Sequence, residues 1–176
     1  MTPEKSTVID GLLAKYRRDR GMVLQILREL QLARNGIRDA DIEIIAESLN
    51  IPRTKIQALI DFYRFLHNEP RGQYDIYFSD SITDRMLGSR ESAQVLCEEL
   101  GLEPGVPSDH GRACVDFTSC TGLCERGPAV LVNGVAIDRV DPTRAREMAA
   151  LVRSETPLEE WPLEWFVIND AIRRKG

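Results

Sequence analysis

The feature that most constrains this chain is a change of hydrophobic period at Pro70. Before it, apolar residues recur every three or four positions. One set is Val8, Ile9, Leu12, Leu13 and Tyr16, and a second is Met22, Val23, Ile26, Leu27 and Leu30. A third is Ile42, Ile45, Ala46 and Leu49, and a fourth is Ile56, Leu59, Ile60, Tyr63 and Phe65. Each set lines one face of a helix. Beyond Pro70, Tyr74-Asp75-Ile76-Tyr77-Phe78 alternates, which is the period of a half-buried strand. A helix and a strand cannot share one period, so the chain divides into a helical part and a part built on a sheet.

Breakers separate the four helical sets. Arg17-Arg18-Asp19-Arg20-Gly21 interrupts the first, Asn35-Gly36 supplies a C-cap, Asp39 can N-cap the third, and Asn50-Ile51-Pro52 stops it before Thr54. Residues 1–70 are therefore expected to form a bundle of about four helices. Leu49 to Ile56 also resembles the turn of a helix-turn-helix. Only Arg53, Lys55 and Arg64 lie near that second helix, Asp61 offsets them, and the net charge is −5. Phosphate binding needs a denser basic face, so no nucleic-acid partner is expected. His67 reads as a capping or surface residue.

Residues 71–154 read as strand, helix, three strands and helix. The strands are Tyr74–Phe78, Arg112–Ser119, Ala129–Asn133 and Val135–Ile137, and the helices are Glu91–Leu100 and Thr143–Val152. Asn133-Gly134 is a two-residue hairpin turn, and Asp141-Pro142 opens the last helix. This order predicts an α+β, thioredoxin-like domain with a four-stranded sheet. Residues 155–176 read as an aromatic tail or linker. Two prolines precede a stretch, Leu163 to Ile172, that could be helical, and Arg173 to Gly176 is polar. Trp161, Trp165 and Phe166 either fold back onto the domain or dock on a partner, and docking of at least one tryptophan is the expectation. Arg126 is expected at the rim of that interface.

Hydrophobic residues make up 43% of the 176 and charged residues 29%, an ordinary balance for a folded chain with a proper core. The start has no apolar signal core, and no run is long enough to cross a membrane, so a cytoplasmic location is expected. Four cysteines, at 97, 114, 120 and 124, are poor material for a secreted disulfide framework. Gly72, Gly88, Gly101 and Gly105 are too scattered to cradle a pyrophosphate.

Cys120 and Cys124 are spaced C-x3-C just before a predicted strand, which looks like half of an iron–sulfur site. The loop after the first strand, Ser79 to Asp84, holds no cysteine. Phe62-Tyr63, Pro70-x-Gly72-x-Tyr74-x-Ile76, the turn at Gly111, Cys120-x-Gly122-x-Cys124 and Pro128-Ala129 together resemble the thioredoxin-like [2Fe–2S] subunit of NADH:quinone oxidoreductase. Within that family the chain is most similar to the N-terminal domain of the diaphorase flavoprotein of NAD-reducing hydrogenases, in which the cysteine set is incomplete.

The resemblance implies a cysteine pair after each of two strands. The first pair falls on Ser79 and Asp84, and the second on Cys120 and Cys124. It further implies an electron-transfer or scaffold component docked on a flavoprotein subunit or domain that binds FMN and NADH, with both cofactors held there. A flavin domain would follow soon after a stretch like Ile168 to Gly176. Oxygen ligands are harder than thiolate, so Ser79 and Asp84 predict a [2Fe–2S] centre that is absent or labile. The alternative is mixed ligation at Ser79 and Asp84, or a cluster shared with a partner's residues. Cys114 lies in a predicted strand and Cys97 in a core helix, and neither completes the set. Zinc is disfavoured because neither histidine has structural-site spacing. A stand-alone redox or interaction module using Cys120 and Cys124 is a second reading, although C-x3-C is not the C-x-x-C of a helix N-terminus.

Overall fold

A computed structural model of the chain describes residues 3–167. The chain forms two compact units, Met1–Pro70 and Arg71–Gly176, each with its own apolar core.

The first unit holds four helices: α1 (Pro3–Lys15), α2 (Val23–Arg34), α3 (Asp39–Leu49) and α4 (Arg53–Phe62). Leu13, Ile26, Leu27, Leu30, Ile42, Ile45 and Ile56 from the four apolar stripes meet in its centre. Asn35 ends α2 in the left-handed conformation, its N–H donating to the Gln31 carbonyl. The start of α3 differs from the expectation. Arg38, not Asp39, is the cap residue, and Asp41 reaches back to accept from the Arg38 N–H at 3.0 Å. Asp41 is also buried against Arg34, at 2.6 Å, so one carboxylate serves both the cap and an ion pair. Asp39 is left exposed and pairs with Arg53, which also contacts Glu43.

The second unit is a mixed sheet with helices packed on it. Its strands are β1 (Tyr74–Ser79), β2 (Ala113–Thr118), β3 (Val130–Val132) and β4 (Val135–Ile137), in the order β2-β1-β3-β4. β1 and β2 are parallel, with Tyr74 opposite Ala113 and Ser79 opposite Thr118. β3 runs antiparallel to both β1 and β4. The parallel pair requires a crossover, which α5 (Ile82–Met86) and α6 (Ser89–Leu100) provide. Asn133 and Gly134, both at positive φ, make the β3–β4 hairpin. Asp141 caps α7 (Pro142–Arg153) by accepting from the Arg144 N–H. Gly72 lies where a Cβ would sit 2.9 Å from the Ala113 nitrogen, so only glycine lets the entry to β1 pass this close to β2.

The aromatic segment is not a docking tail. Trp161, Trp165 and Phe166 are 2%, 5% and 6% exposed and belong to the core of the second unit. Trp161 stacks on Tyr74, and both the Trp161 indole N–H and the Tyr74 hydroxyl donate to the Thr156 carbonyl. Trp165 meets Trp161 edge-on, and the Arg144 guanidinium lies over its ring. Phe166 bridges to Ile137, and the Val167 N–H donates to the Ala136 carbonyl. The physical reason is the open edge of β4. The prolines break a helix but permit two short 3-10 turns, Leu158–Glu160 and Leu163–Trp165, which bring the chain back along that edge. The expected helix to Ile172 is therefore not formed over Leu163–Val167, and its remainder, like the polar end, lies outside the described residues.

Trp161→Ala removes a buried ring and leaves the Thr156 carbonyl with one donor fewer. It is expected to lower stability by about 3–5 kcal/mol, read as a shift of the denaturation midpoint.

Candidate functional site

The site is built where β1 ends. Ser79 is its last residue, with its N–H donating to the Ala129 carbonyl, and the Asp80 N–H donates to Thr118. Ser81 then caps α5, its hydroxyl accepting from the Asp84 N–H at 3.1 Å. A cap at 81 places residue 84 in the first helical turn, facing back toward the strand. The Asp84 side chain is fully buried there and accepts three hydrogen bonds. Its Oδ2 takes the Ser79 hydroxyl at 2.5 Å and the Ser81 hydroxyl at 2.7 Å, and its Oδ1 takes the Ala129 N–H at 3.0 Å. One carboxylate thus joins the end of β1, the start of α5 and the entry to β3.

Gly127 makes room for it. A Cβ at that position would lie 2.6 Å from Asp84 Oδ1 and 2.7 Å from Leu87 Cδ1. On the solvent side, Asp80 is held by two guanidiniums, Arg85 and Arg90, which keep its carboxyl well below the usual range. Ile82 and Met86, one turn apart on α5, are 77% and 83% exposed, and Leu87 beside them is half exposed.

The cysteine loop lies against this network. Cys120 is exposed and Cys124 is half-buried, with their Sγ atoms 3.2 Å apart. The Ser81 hydroxyl is 4.0 Å from Cys124 Sγ, so the two halves of the site meet through Ser81. The adjacent Cys120 thiol, through its hydrogen bond, pushes the Cys124 thiol up from its ordinary range. Ser79 and Asp84 are thus linked to the cysteine loop through Ser81, and their side chains are bonded to each other. Arg126 Nη1 pairs with Asp138 at 3.1 Å. Cys114 is buried in β2, and Cys97 is buried in α6, where desolvation raises its thiol to about 11. Among the described residues, no group of three or more His, Cys, Asp and Glu side chains is arranged to hold a metal ion.

Two residues of this site escaped the sequence reading. Ser81 carried a legible signal, since Ser-x-x-Asp is a capping pattern. It also marks α5, where the sequence is expected to form a loop. Gly127 carried none, because its requirement comes from Asp84, which is distant in sequence.

A four-stranded sheet in the order β2-β1-β3-β4, with a cysteine loop set against the segment that follows β1, defines a class. The chain belongs to the thioredoxin-like [2Fe-2S] ferredoxin family, whose model matches residues 9–153. Among individual proteins, it is 28% identical over 152 residues to the NAD-reducing hydrogenase HoxS subunit alpha of Cupriavidus necator, covering 86% of this chain and 25% of that one. It is 27% identical over 160 residues to NADH-quinone oxidoreductase subunit 2 of Thermus thermophilus, covering 89% and 88%. Among solved structures, an NAD+-reducing [NiFe]-hydrogenase in the H2-reduced state superposes with a TM-score of 0.73 at 28% identity, over 86% of this chain and 25% of that one. The chain therefore spans a quarter of the hydrogenase chains that it matches, and most of the Thermus subunit.

Asp84→Ala would leave the Ala129 N–H and the Ser79 hydroxyl buried without their acceptor. A loss of about 2–4 kcal/mol in unfolding free energy is expected, against about 1 kcal/mol for Ser79→Ala; chemical denaturation of both variants checks the ranking.

Proposed function

We propose that this chain is a cluster-less scaffold component of an NAD(H)-linked flavin/iron–sulfur oxidoreductase. It docks on the partner that binds FMN and NADH, and it does no hydride chemistry itself. Family membership and the names of its relatives, an NAD-reducing hydrogenase subunit and an NADH-quinone oxidoreductase subunit, support the first part. The absence of a glycine-rich phosphate-binding fingerprint in the sequence is consistent with both nucleotide cofactors lying on the partner. On this reading the protein works in the cytoplasm. No helix among the described residues is long and apolar enough to cross a membrane.

One observation carries the cluster-less part. A [2Fe–2S] cluster takes four strong donors, two for each iron. Here the available donors are two thiols, a carboxylate whose two oxygens already accept three hydrogen bonds, and a serine hydroxyl that supplies one of them. Recruiting Asp84 and Ser79 to iron would break the joint between β1, α5 and β3 and require a serine alkoxide. This donor set does not fit the cluster. Asp84 instead makes by hydrogen bonding the cross-connection between loops that a cluster makes by ligation.

With the tryptophans in the core, the docking face needs other anchors. Ile82 and Met86 on the helix that carries Asp84, with Leu87 just beyond it, present exposed apolar side chains, and the Arg85 and Arg90 guanidiniums, held by Asp80, supply charge nearby. An apolar centre with a charged rim is the anatomy of a protein interface.

Anaerobic reconstitution of the purified chain with iron and sulfide should leave it colourless and without stoichiometric iron. A brown protein with acid-labile sulfide would overturn the cluster-less reading. Independently, Ile82→Asp with Met86→Lys should reduce co-purification with the flavoprotein partner at least about tenfold, since apolar anchors carry about 1–2 kcal/mol each. Their exposure predicts an unchanged melting temperature.

A further inference from the structure

We propose that Cys120 and Cys124 form a reversible intramolecular disulfide by exchange with a low-molecular-weight disulfide, with Cys120 as the attacking thiol and Cys124 as the resolving one. The inference does not depend on the assignment to an oxidoreductase complex.

The geometry points to this pair and to this order. Their sulfurs lie 3.2 Å apart, within about 1.2 Å of a disulfide bond length. The three residues between them include Gly122 at φ 80°, and the Gly122 N–H donates to Cys120 Sγ at 3.3 Å, which positions that sulfur. Exposure separates the two roles. Cys120 is open to solvent, whereas Cys124 is half-covered, behind it and beside Ser81. An incoming disulfide therefore meets Cys120 first. Cys124 is less open to solvent but already stands next to Cys120 Sγ. The other two cysteines are buried, and desolvation raises Cys97 to about 11, so exchange is confined to the loop.

The exchange balances in two steps. Cys120 gives up its proton, and its sulfur attacks one sulfur of the external disulfide. A mixed disulfide forms at Cys120, and the first small thiolate leaves and takes up a proton. Cys124 then loses its proton and attacks Cys120 Sγ, forming the internal bond and expelling the second small thiol. Two protein thiols are oxidised and one external disulfide is reduced to two thiols. Closing the bond removes the Cys124 thiol as a partner for Ser81, whose hydroxyl continues to donate to Asp84.

The test is intact-mass analysis of the full, folded chain after anaerobic incubation with glutathione disulfide. The wild type should lose two hydrogen atoms and carry no adduct, with dithiothreitol reversing the change, and peptide mapping should place the bond between Cys120 and Cys124. Cys124→Ser should accumulate one glutathione adduct at Cys120. Cys120→Ser should react at least about tenfold more slowly, because thiol access sets the rate. A stable adduct on the wild type would overturn the proposal. So would thiols that resist the reagent, whether ligated or occluded, or Cys120→Ser gaining its adduct as fast as Cys124→Ser.

Discussion

The second unit depends on a buried carboxylate that has no charged partner in the bonds it accepts. Asp84 is held entirely by neutral donors: two serine hydroxyls and one backbone N–H. Burying a carboxylate is costly unless its lone pairs are engaged, so each donor has to be present and correctly placed. Ser79 must end β1 with its hydroxyl inward, Ser81 must cap α5, and β3 must begin at the right height to present the Ala129 N–H. Gly127 must lack a side chain. Four residues from three segments are constrained by one side chain, and the helix, the strand ends and the cysteine loop follow from it.

This arrangement ties the end of β1, the start of α5 and the entry to β3 together by hydrogen bonding. A metal cluster fixes loops by short, strong bonds to several segments at once. A carboxylate with three donors spans similar segments with weaker bonds that are additive and directional. The Asp84 bonds hold these three segments together, and the thiol pair of Cys120 and Cys124 lies beside them at Ser81.

Much of the fold was legible from periodicity. The four helical stripes and the alternating run after Pro70 correspond to α1–α4 and β1, and Asn133-Gly134 and Asp141-Pro142 mark the hairpin and the last helix. The misreadings have local causes. Asp39 has the right side chain for a cap but the wrong position, because Asp41 can satisfy both the Arg38 N–H and Arg34. Trp161, Trp165 and Phe166 lie beside Pro157 and Pro162, where the sequence reads as an aromatic tail or linker with at least one tryptophan docking on a partner, yet prolines are compatible with the 3-10 turns that fold these rings onto Tyr74 and Ile137. In the site, Cys120, Cys124, Ser79 and Asp84 could be singled out from sequence. The bond between Ser79 and Asp84 could not, because pairing of two oxygen side chains is decided by backbone geometry.

The return of the aromatic segment along β4 also sets how the second unit responds to force. Load entering the domain at Val167 meets first the Val167–Ala136 hydrogen bond and the Phe166–Ile137 bridge, both at the sheet's outermost strand. Next in line are the Trp165 and Trp161 rings, packed edge to face against each other. Tension from a neighbouring body would therefore peel this strap away residue by residue. The parallel pair β1 and β2, with the Asp84 joint at the end of β1, lies on the far side of the sheet from β4 and is reached last.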